Sequence, residues 1–266
     1  MNRILFFSFA LFSTFQLSAQ KPLRFLGLQV KHIGATAGVD EDMLHNMDGN
    51  YFLQTARGNT SAFGDLGFGK QDMASMICEN PHIRLEVALA PMGCKNTEIR
   101  LALLGIFNRI DALSYYQGHS SEGARRFSVD AYSNEIALES SFLKTTGRLG
   151  PFRAYGGLGT NIGYSFAGSL AISYWKAGRT IEVPGEASDD PIGYIVEEPE
   201  QTYQHFDQRN GISQRIFAHL GLGIHCFKRM ELAFEYRRGI GYRAVFSAPV
   251  KMTELQSSAL ALRWLF

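Results

Sequence analysis

Residues 259–266 read Ala-Leu-Ala-Leu-Arg-Trp-Leu-Phe, and large apolar side chains alternate there with small or charged ones. Leu260, Leu262, Trp264 and Phe266 share one parity, and Arg263 with two alanines has the other. Successive side chains of a β-strand point to opposite faces, so this period of two predicts a strand with one apolar face.

Seven other segments of the chain show the same alternation. They are centred on residues 26–30, 83–89, 99–107, 136–142, 152–164, 212–224 and 232–236. In the third of them, Leu104 and Ile106 interrupt the polar face. Eight strands are an allowed number for a closed antiparallel membrane barrel. Alternation alone is equally expected of a soluble sandwich.

The lengths of the connections favour the barrel. Short turns at residues 91–96, 146–151 and 227–230 alternate with long connections at residues 34–81, 111–132, 166–211 and 241–255. Short turns on one side and long loops on the other are typical of outer-membrane barrels. In a compact soluble domain, several long loops without structure of their own would count against the strand assignment.

The first 19 residues have the layout of a secretory signal peptide. Arg3 precedes an apolar and hydroxyl run over residues 4–15, and Ser18 and Ala19 follow. We therefore predict cleavage after Ala19 and one barrel domain over residues 20–266. No later run of 18 apolar residues occurs, so no transmembrane helix is expected.

Composition narrows the function classes. The chain has 26 basic and 25 acidic residues and a net charge of +1, so we expect no nucleic-acid partner. Three cysteines are too few for a disulfide scaffold. Cys94 lies in the first short turn and Cys226 next to the third, and we expect them too far apart to be bridged.

In its final strand and its loop layout, the sequence resembles bacterial outer-membrane β-barrel proteins of the small eight-stranded OmpA/OmpX/OmpW type. The resemblance implies an all-β, eight-stranded antiparallel up-and-down barrel with periplasmic turns and extracellular loops. It also implies contact with outer-membrane lipid and lipopolysaccharide. In that family the assembly machinery reads the final strand, here Leu260, Leu262, Trp264 and Phe266. Unlike for full-length OmpA, we expect no peptidoglycan-binding domain after the barrel.

If the apolar parity faces lipid, the other parity lines the interior. It carries Arg84, Glu86, Arg100, Glu135, Glu139, Arg153, Arg215, Glu231, Glu235, Arg237 and Arg263, together with Lys31. Charges of both signs in so narrow an interior favour a salt-bridged plug with a structural or surface-binding role. The alternative is a gated path for small solutes. Glycines such as Gly221 and Gly223 leave a hollow there that Tyr155 or an arginine could fill.

Signals for catalysis, cofactors and metals are weak. His219 and His225 have the inward parity, and His119 lies in a loop without a fixed acidic partner. Residues 40–42 and 189–190, with Asp48, Glu197, Glu198 and Glu200, are oxygen-rich but lack the spacing of a calcium loop. We therefore expect no catalytic, cofactor or metal site. A lipid A-modifying enzyme remains the less favoured alternative.

The third long connection contains strand-like pieces at residues 170–175, 180–183 and 192–196. We predict that they extend the fifth and sixth strands into a protruding sheet. Its edge could bind a protein partner by strand addition. Tyr174, Trp175 and Tyr194 would be the aromatic anchors. A merely solvated acidic loop remains the alternative.

Overall fold

The computed structural model describes residues 24–25, 27–45, 49–64, 73–76, 78–91, 93–94, 96–117, 124–146, 150–178, 180–184, 192–196 and 198–266. The predicted signal peptide lies outside these ranges. The strands are β1 (Arg24–Phe25), β2 (Leu28–Leu44), β3 (Ala56–Arg57), β4 (Met73–Met76), β5 (Cys78–Pro91), β6 (Thr97–Gln117), β7 (Arg125–Thr145), β8 (Phe152–Lys176), β9 (Thr180–Pro184), β10 (Ile192–Val196), β11 (Glu200–Gln208), β12 (Gly211–Phe227), β13 (Met230–Val245) and β14 (Lys251–Leu265). The helices are α1 (Gly49–Thr55) and α2 (Ser61–Gly64). Neither described helix has the length and apolar character needed to cross a membrane.

Eight of these strands close into a ring. The order is β2, β5, β6, β7, β8, β12, β13 and β14, and β14 pairs with β2 to complete it. Every pair is antiparallel, and each strand lies beside the ring strands that precede and follow it. The predicted eight-stranded up-and-down barrel is therefore confirmed.

The stagger of the strands sets the width of the barrel. Paired residues followed once around the ring lead from Glu79 of β5 back to Leu89 of the same strand, ten residues further along. At about 3.3 Å per residue and about 4.8 Å between strands, this stagger tilts the strands by about 40° from the barrel axis. An eight-stranded interior of this kind is just wide enough for side chains to fill it.

The outside of the ring is apolar and the inside is polar. Large aliphatic and aromatic side chains are exposed on every ring strand, among them Ile33, Leu85, Leu103, Leu138, Ile162, Leu220, Phe234 and Leu260. Arginines and carboxylates are buried within. This is the arrangement of a transmembrane barrel, whose outer belt contacts lipid.

All four long connections are shorter than the sequence predicts. The first was expected from Gly34, yet β2 runs on to Leu44. Its outward side chains there include Ala35 and Ala37, which are too small to produce a clear hydropathy alternation. The acidic residues 40–42 consequently lie on a strand rather than in a loop, which corrects their assignment to the first loop.

Two bulges reverse the alternation near the long-loop end of the barrel. An extra residue in β6 between Ile106 and Arg109 includes Asn108, whose φ is 53°. In β8, Ala167 has a φ of 49° at a second such irregularity. Since one extra residue moves all following side chains to the opposite face, odd-numbered β6 residues and even-numbered β8 residues point inward above the bulges.

Four strands extend beyond the ring at the long-loop end, and we call this sheet the protruding wall. It consists of residues 109–117 of β6, 125–133 of β7, 168–176 of β8, and β11, which pairs with β8 from Glu200↔Lys176 to Gln208↔Gly168. Between β8 and β11 in the chain, β9 and β10 pair with each other and form the tip of the β8–β11 hairpin. The sequence predicted an extension of this kind from the fifth and sixth strands. The participation of β6 and β7 was not predicted.

Candidate functional site: the filled lumen and the protruding wall

The structure places ten of the eleven predicted interior charges in buried positions. The eleventh, Arg153, is half-buried at the end of the lumen next to the short turns. Lys31 does not join them, because it occupies a bulge in β2 and its ammonium donates to Gln29 Oε1 (3.4 Å). The structure therefore brings together all the predicted charges except that lysine.

Near the short turns, Arg263 joins three carboxylates. It donates from Nε to Glu86 Oε1 (2.6 Å), from Nη1 to Glu231 Oε1 (2.9 Å) and from Nη2 to Glu235. Arg153 donates to both oxygens of Glu231 (2.8 and 2.9 Å). These contacts connect β14, β5, β13 and β8 across the lumen.

In the middle of the lumen, Glu139 lies between two arginines. Its Oε1 accepts from Arg84 Nη1 (2.9 Å) and its Oε2 from Arg237 Nη1 (2.6 Å). Arg237 also donates to Ser257 Oγ (2.8 Å) and lies 3.5 Å from Asp40. Each oxygen of this carboxylate thus has a charged donor, a requirement for burying such a group at low cost.

Near the long loops, two arginines and two carboxylates form a closed square. Arg215 contacts Glu135 (2.7 Å) and Asp42 (2.9 Å), and Arg109 contacts Glu135 (2.6 Å) and Asp42. Arg243 and Asp111 form a further pair just beside it.

Sequence reasoning missed several members of this network. They are His32, Asp40, Asp42, His82, Glu98, Arg109, Asp111 and Arg243. Arg109 and Asp111 follow the β6 bulge, so a strict period of two gives them the wrong face. Asp40 and Asp42 follow the small residues of β2. The signal that could have found Arg109 is the charge itself, since an arginine directed at lipid would be expensive.

The arginines and carboxylates of the network nearly balance in number. Among the described residues it contains eight arginines and nine carboxylates, and each of them has at least one oppositely charged partner. A conducting pore tends to concentrate one sign of charge along a water-filled path. Here side chains of both signs occupy the lumen.

Tyr155 fills the hollow predicted at the glycines of β12. A Cβ added to Gly221 would lie 2.1 Å from Tyr155 Cζ, so only glycine leaves room for the ring. The phenol donates to Glu235 Oε1 (2.7 Å), and the guanidinium of Arg100 lies 4.1 Å from the ring centroid. The ring therefore joins the charge network as a cation–π partner.

A second layer, the apolar cap, closes the long-loop end. Helices α1 and α2 bring Tyr51, Phe52 and Phe63 against the inner face of the protruding wall. Their partners there are Leu113, Tyr115, Phe127, Val129, Ala131, Leu170, Ile172 and Tyr174. Burial raises the pKa of the Tyr51 phenol above its ordinary value, and the nearby Asp111 carboxylate raises it further. The interactions of Tyr51 with Asp111 and Arg109 place the cap next to the charged square.

The cap also corrects one predicted surface anchor. Tyr174 is only 5% exposed, because the β8 bulge sends even-numbered side chains inward. Trp175 has the opposite parity and is half-buried on the outer face of the wall. Tyr194 lies on β10, and its side chain is outside the described part of the structure. Tyr116 and Tyr203 are more exposed aromatic side chains that the prediction did not name.

The two edges of the protruding wall differ. On one side, β4 pairs with residues 112–115 of β6. On the other side, β3 pairs only with Asp207 and Gln208 of β11. Within the described ranges, residues 200–206 of β11 have no strand on the side away from β8. This stretch, which we call the open edge, exposes backbone donors and acceptors.

Three of the predicted assembly residues lie on β14, and Phe266 directly follows it. Leu260 and Leu262 are exposed on the outer belt, and Trp264 and Phe266 are half-buried at the short-turn end. Phe266 N donates to Lys31 O (3.0 Å), so the last residue is tied to β2. The end of the chain thus takes part in ring closure.

His219 and His225 point into the lumen, and His119 is outside the described residues. His219 lies 3.3 Å from both Ser141 Oγ and Glu235 Oε1, an order typical of a proton relay. However, Ser141 is 2% exposed, and Glu235 already accepts from three arginines. His119, Asp48, residues 189–190 and Glu197 fall outside the described ranges. Within those ranges, no group of three or more His, Cys, Asp or Glu side chains is arranged to hold a metal ion.

Comparison with known proteins finds similar solved structures at low sequence identity. No protein-family model matches the sequence, and neither does any curated protein. Neisserial surface protein A (NspA) is 10% identical, with a TM-score of 0.34 over 90% of this chain and 97% of that one. Ail, the attachment invasion locus protein of Yersinia pestis, is 8% identical, with a TM-score of 0.32 over 89% and 99%. The outer membrane protein OprG from Pseudomonas aeruginosa is 10% identical, with a TM-score of 0.36 over 90% and 96%.

Proposed function

We propose that this protein is an outer-membrane barrel that keeps its lumen closed and acts at the cell surface through its protruding wall. The observation that carries this proposal is the combination of a lumen whose described arginines and carboxylates are all ion-paired, an apolar cap, and an open sheet edge at the long-loop end. The apolar outer belt and the predicted signal peptide support placement in the outer membrane, in contact with lipid and lipopolysaccharide.

The membrane placement is tested by fractionation. We expect the full chain in the outer-membrane fraction, where it should migrate faster on a gel before heating than after heating. A closed barrel resists detergent unfolding until heated, whereas a soluble β domain does not show this shift. Recovery in the soluble periplasmic fraction, with no heat-dependent shift, would contradict the placement.

The closed lumen is tested in planar bilayers. Because charged pairs and the cap fill the path, we expect the purified protein to give no stable unitary current. The alternative, a small-solute channel, requires such a current and a selectivity that changes when Glu139 or Arg215 is neutralised. Large and stable currents from the intact protein would overturn the closed-lumen proposal.

The binding role rests on the open edge. Edge strands without a partner pair readily with an extended peptide, which gains main-chain hydrogen bonds. The open edge has one charged residue, Glu200, and no proline to block such pairing. Tyr203 and His205 are exposed there, and the Tyr203 hydroxyl lies 2.6 Å from His205 Nε2. We therefore propose that a partner protein adds a strand beside β11.

Lysine substitution tests this edge, because lysine on an edge strand opposes pairing. We expect the double variant Tyr203→Lys with Gln204→Lys to abolish binding of whole cells to a surface coated with the partner protein. Barrel assembly should be unaffected. Tyr116→Lys is the matched control, since Tyr116 is 57% exposed, Tyr203 is 58% exposed, and β4 pairs with the preceding residues 112–115 of β6. Equal binding by both variants would exclude the open edge as the recognition element.

A further inference from the structure

One row of side chains on the lipid-facing surface is polar. Arg238 of β13 pairs with Gln256 of β14, Gln256 with Glu41 of β2, and Glu41 with Glu79 of β5. Paired residues share a face, and all four point outward. We call this row the polar ridge.

The ridge begins within the apolar belt. On β13 the outward residues below Arg238 are Tyr236, Phe234 and Leu232, and those above it are Ile240 and Tyr242. On the neighbouring strand, Ile216 and Leu220 flank the level of Arg238. The guanidinium therefore lies where a barrel is expected to contact acyl chains, a position at which arginine is strongly unfavourable.

The charges of the ridge have no partners among the described residues of their own chain. Arg238, Glu41 and Glu79 make no ion pair or hydrogen bond to any residue that the structure describes. The lumen is different, because each of its charges is paired there. A protein that pairs its interior charges this completely has left these three available to something outside the chain.

We propose that a second copy of this chain covers the polar ridge. The ridge has a cation at one end and carboxylates at the other, so it is complementary to itself about a two-fold axis. With the axis normal to the membrane and passing beside Gln256, Arg238 of each copy faces Glu41 of the partner subunit. Two carboxylates beside one guanidinium fit the phosphates of a lipid headgroup less well.

The strand tilt makes this pairing geometrically possible. Because the strands are inclined by about 40°, Glu41 lies about 6 Å closer to the long-loop end than Arg238. An arginine side chain extends about that far and directs its charge toward the membrane surface. Removing both charges from lipid contact would stabilise the dimer.

Cross-linking between copies tests the proposal, which rests on the membrane placement proposed above. Two differently tagged forms are co-expressed with serine replacing Cys78, Cys94 and Cys226, one carrying Arg238→Cys and the other Glu41→Cys. With a short bis-maleimide reagent, which spans an offset that a disulfide cannot, we expect about tenfold more cross-linking between copies than for Ser140→Cys with Thr160→Cys, because a two-fold contact brings only the ridge residues together. Ser140 and Thr160 are paired with each other and face outward elsewhere on the ring.

Mass measurement in nanodiscs provides the second readout. We expect a dimer for the full chain, a monomer for Arg238→Glu and for Glu41→Arg, and a dimer again for the double charge reversal. A monomeric full chain, or equal cross-linking by both cysteine pairs, would overturn the proposal. An Arg238→Glu variant that loses bound lipopolysaccharide but remains in the same oligomeric state as the unsubstituted protein would also overturn it. Failure of the membrane placement is distinguishable, since it appears in fractionation and heat-dependent migration.

Discussion

At the scale of single residues, the lumen depends on exact pairing of buried groups. Glu139 holds Arg84 and Arg237 at once, and Arg215 holds Glu135 and Asp42. Removing one partner of a buried ion pair leaves the other without compensation, which costs more than the pair itself contributes. Substitutions in the lumen should therefore act on stability.

We predict that Glu139→Gln lowers the free energy of unfolding by about 3–5 kcal/mol, because two arginines lose the carboxylate between them. Urea unfolding of the barrel in lipid vesicles measures this change. Lys144→Gln is the control: Lys144 lies on the same strand, is exposed and faces outward. A loss no larger than that of the control would show that the network contributes little.

We predict that Gly221→Ala also destabilises the barrel, because its methyl group would overlap the Tyr155 ring at 2.1 Å. Overpacking of this kind costs about 1–3 kcal/mol. Gly156→Ala is the matched control, since its nearest obstacle is the movable Leu220 side chain at 2.9 Å. The melting temperature in detergent compares the two variants. A larger loss for Gly156→Ala would contradict the role assigned to Tyr155.

At the scale of elements, the sequence predicted regular strands well and irregular ones poorly. All eight ring strands were located, because large apolar residues such as those of β12 and β14 mark one face clearly. The bulges in β6 and β8 have no signal in a period of two, and most of the residues above them were assigned to long connections rather than to one face of a strand. Arg109 and the inward direction of Tyr174 were therefore missed. The cap was missed because α1 and α2 gain their stability from packing on the wall.

For the last strand, we predict that Trp264→Asp, or deletion of Phe266, reduces the amount of folded protein in the outer membrane several-fold. Both changes affect the residues that the resemblance assigns to recognition by the assembly machinery. Phe227→Asp is the control, because Phe227 is an exposed aromatic residue at the same end but ends β12. Heat-dependent migration measures the folded fraction. Equal losses in all variants would indicate a general effect of charge at this end.

At the scale of the whole molecule, the lumen is closed twice, by the charge network and by the cap. We predict that deleting residues 49–64, which contain α1 and α2, lowers the melting temperature but opens no stable current. The reason is that the charged square of Arg215, Arg109, Glu135 and Asp42 still fills the lumen when the cap is removed. Planar-bilayer recording checks this outcome. Large currents after the deletion would mean that the cap alone closes the lumen.

The charge network also has a consequence for the order of folding. Its contacts join residues far apart along the chain, such as Asp42 with Arg215 and Glu86 with Arg263. Such pairs form only when the first and last ring strands have met, so a half-built sheet would present unpaired charges to the bilayer. Partly inserted intermediates are therefore penalised, and the chain should enter the membrane in one cooperative step. The same side chains that fill the finished lumen thereby disfavour insertion of any barrel whose ring has not closed.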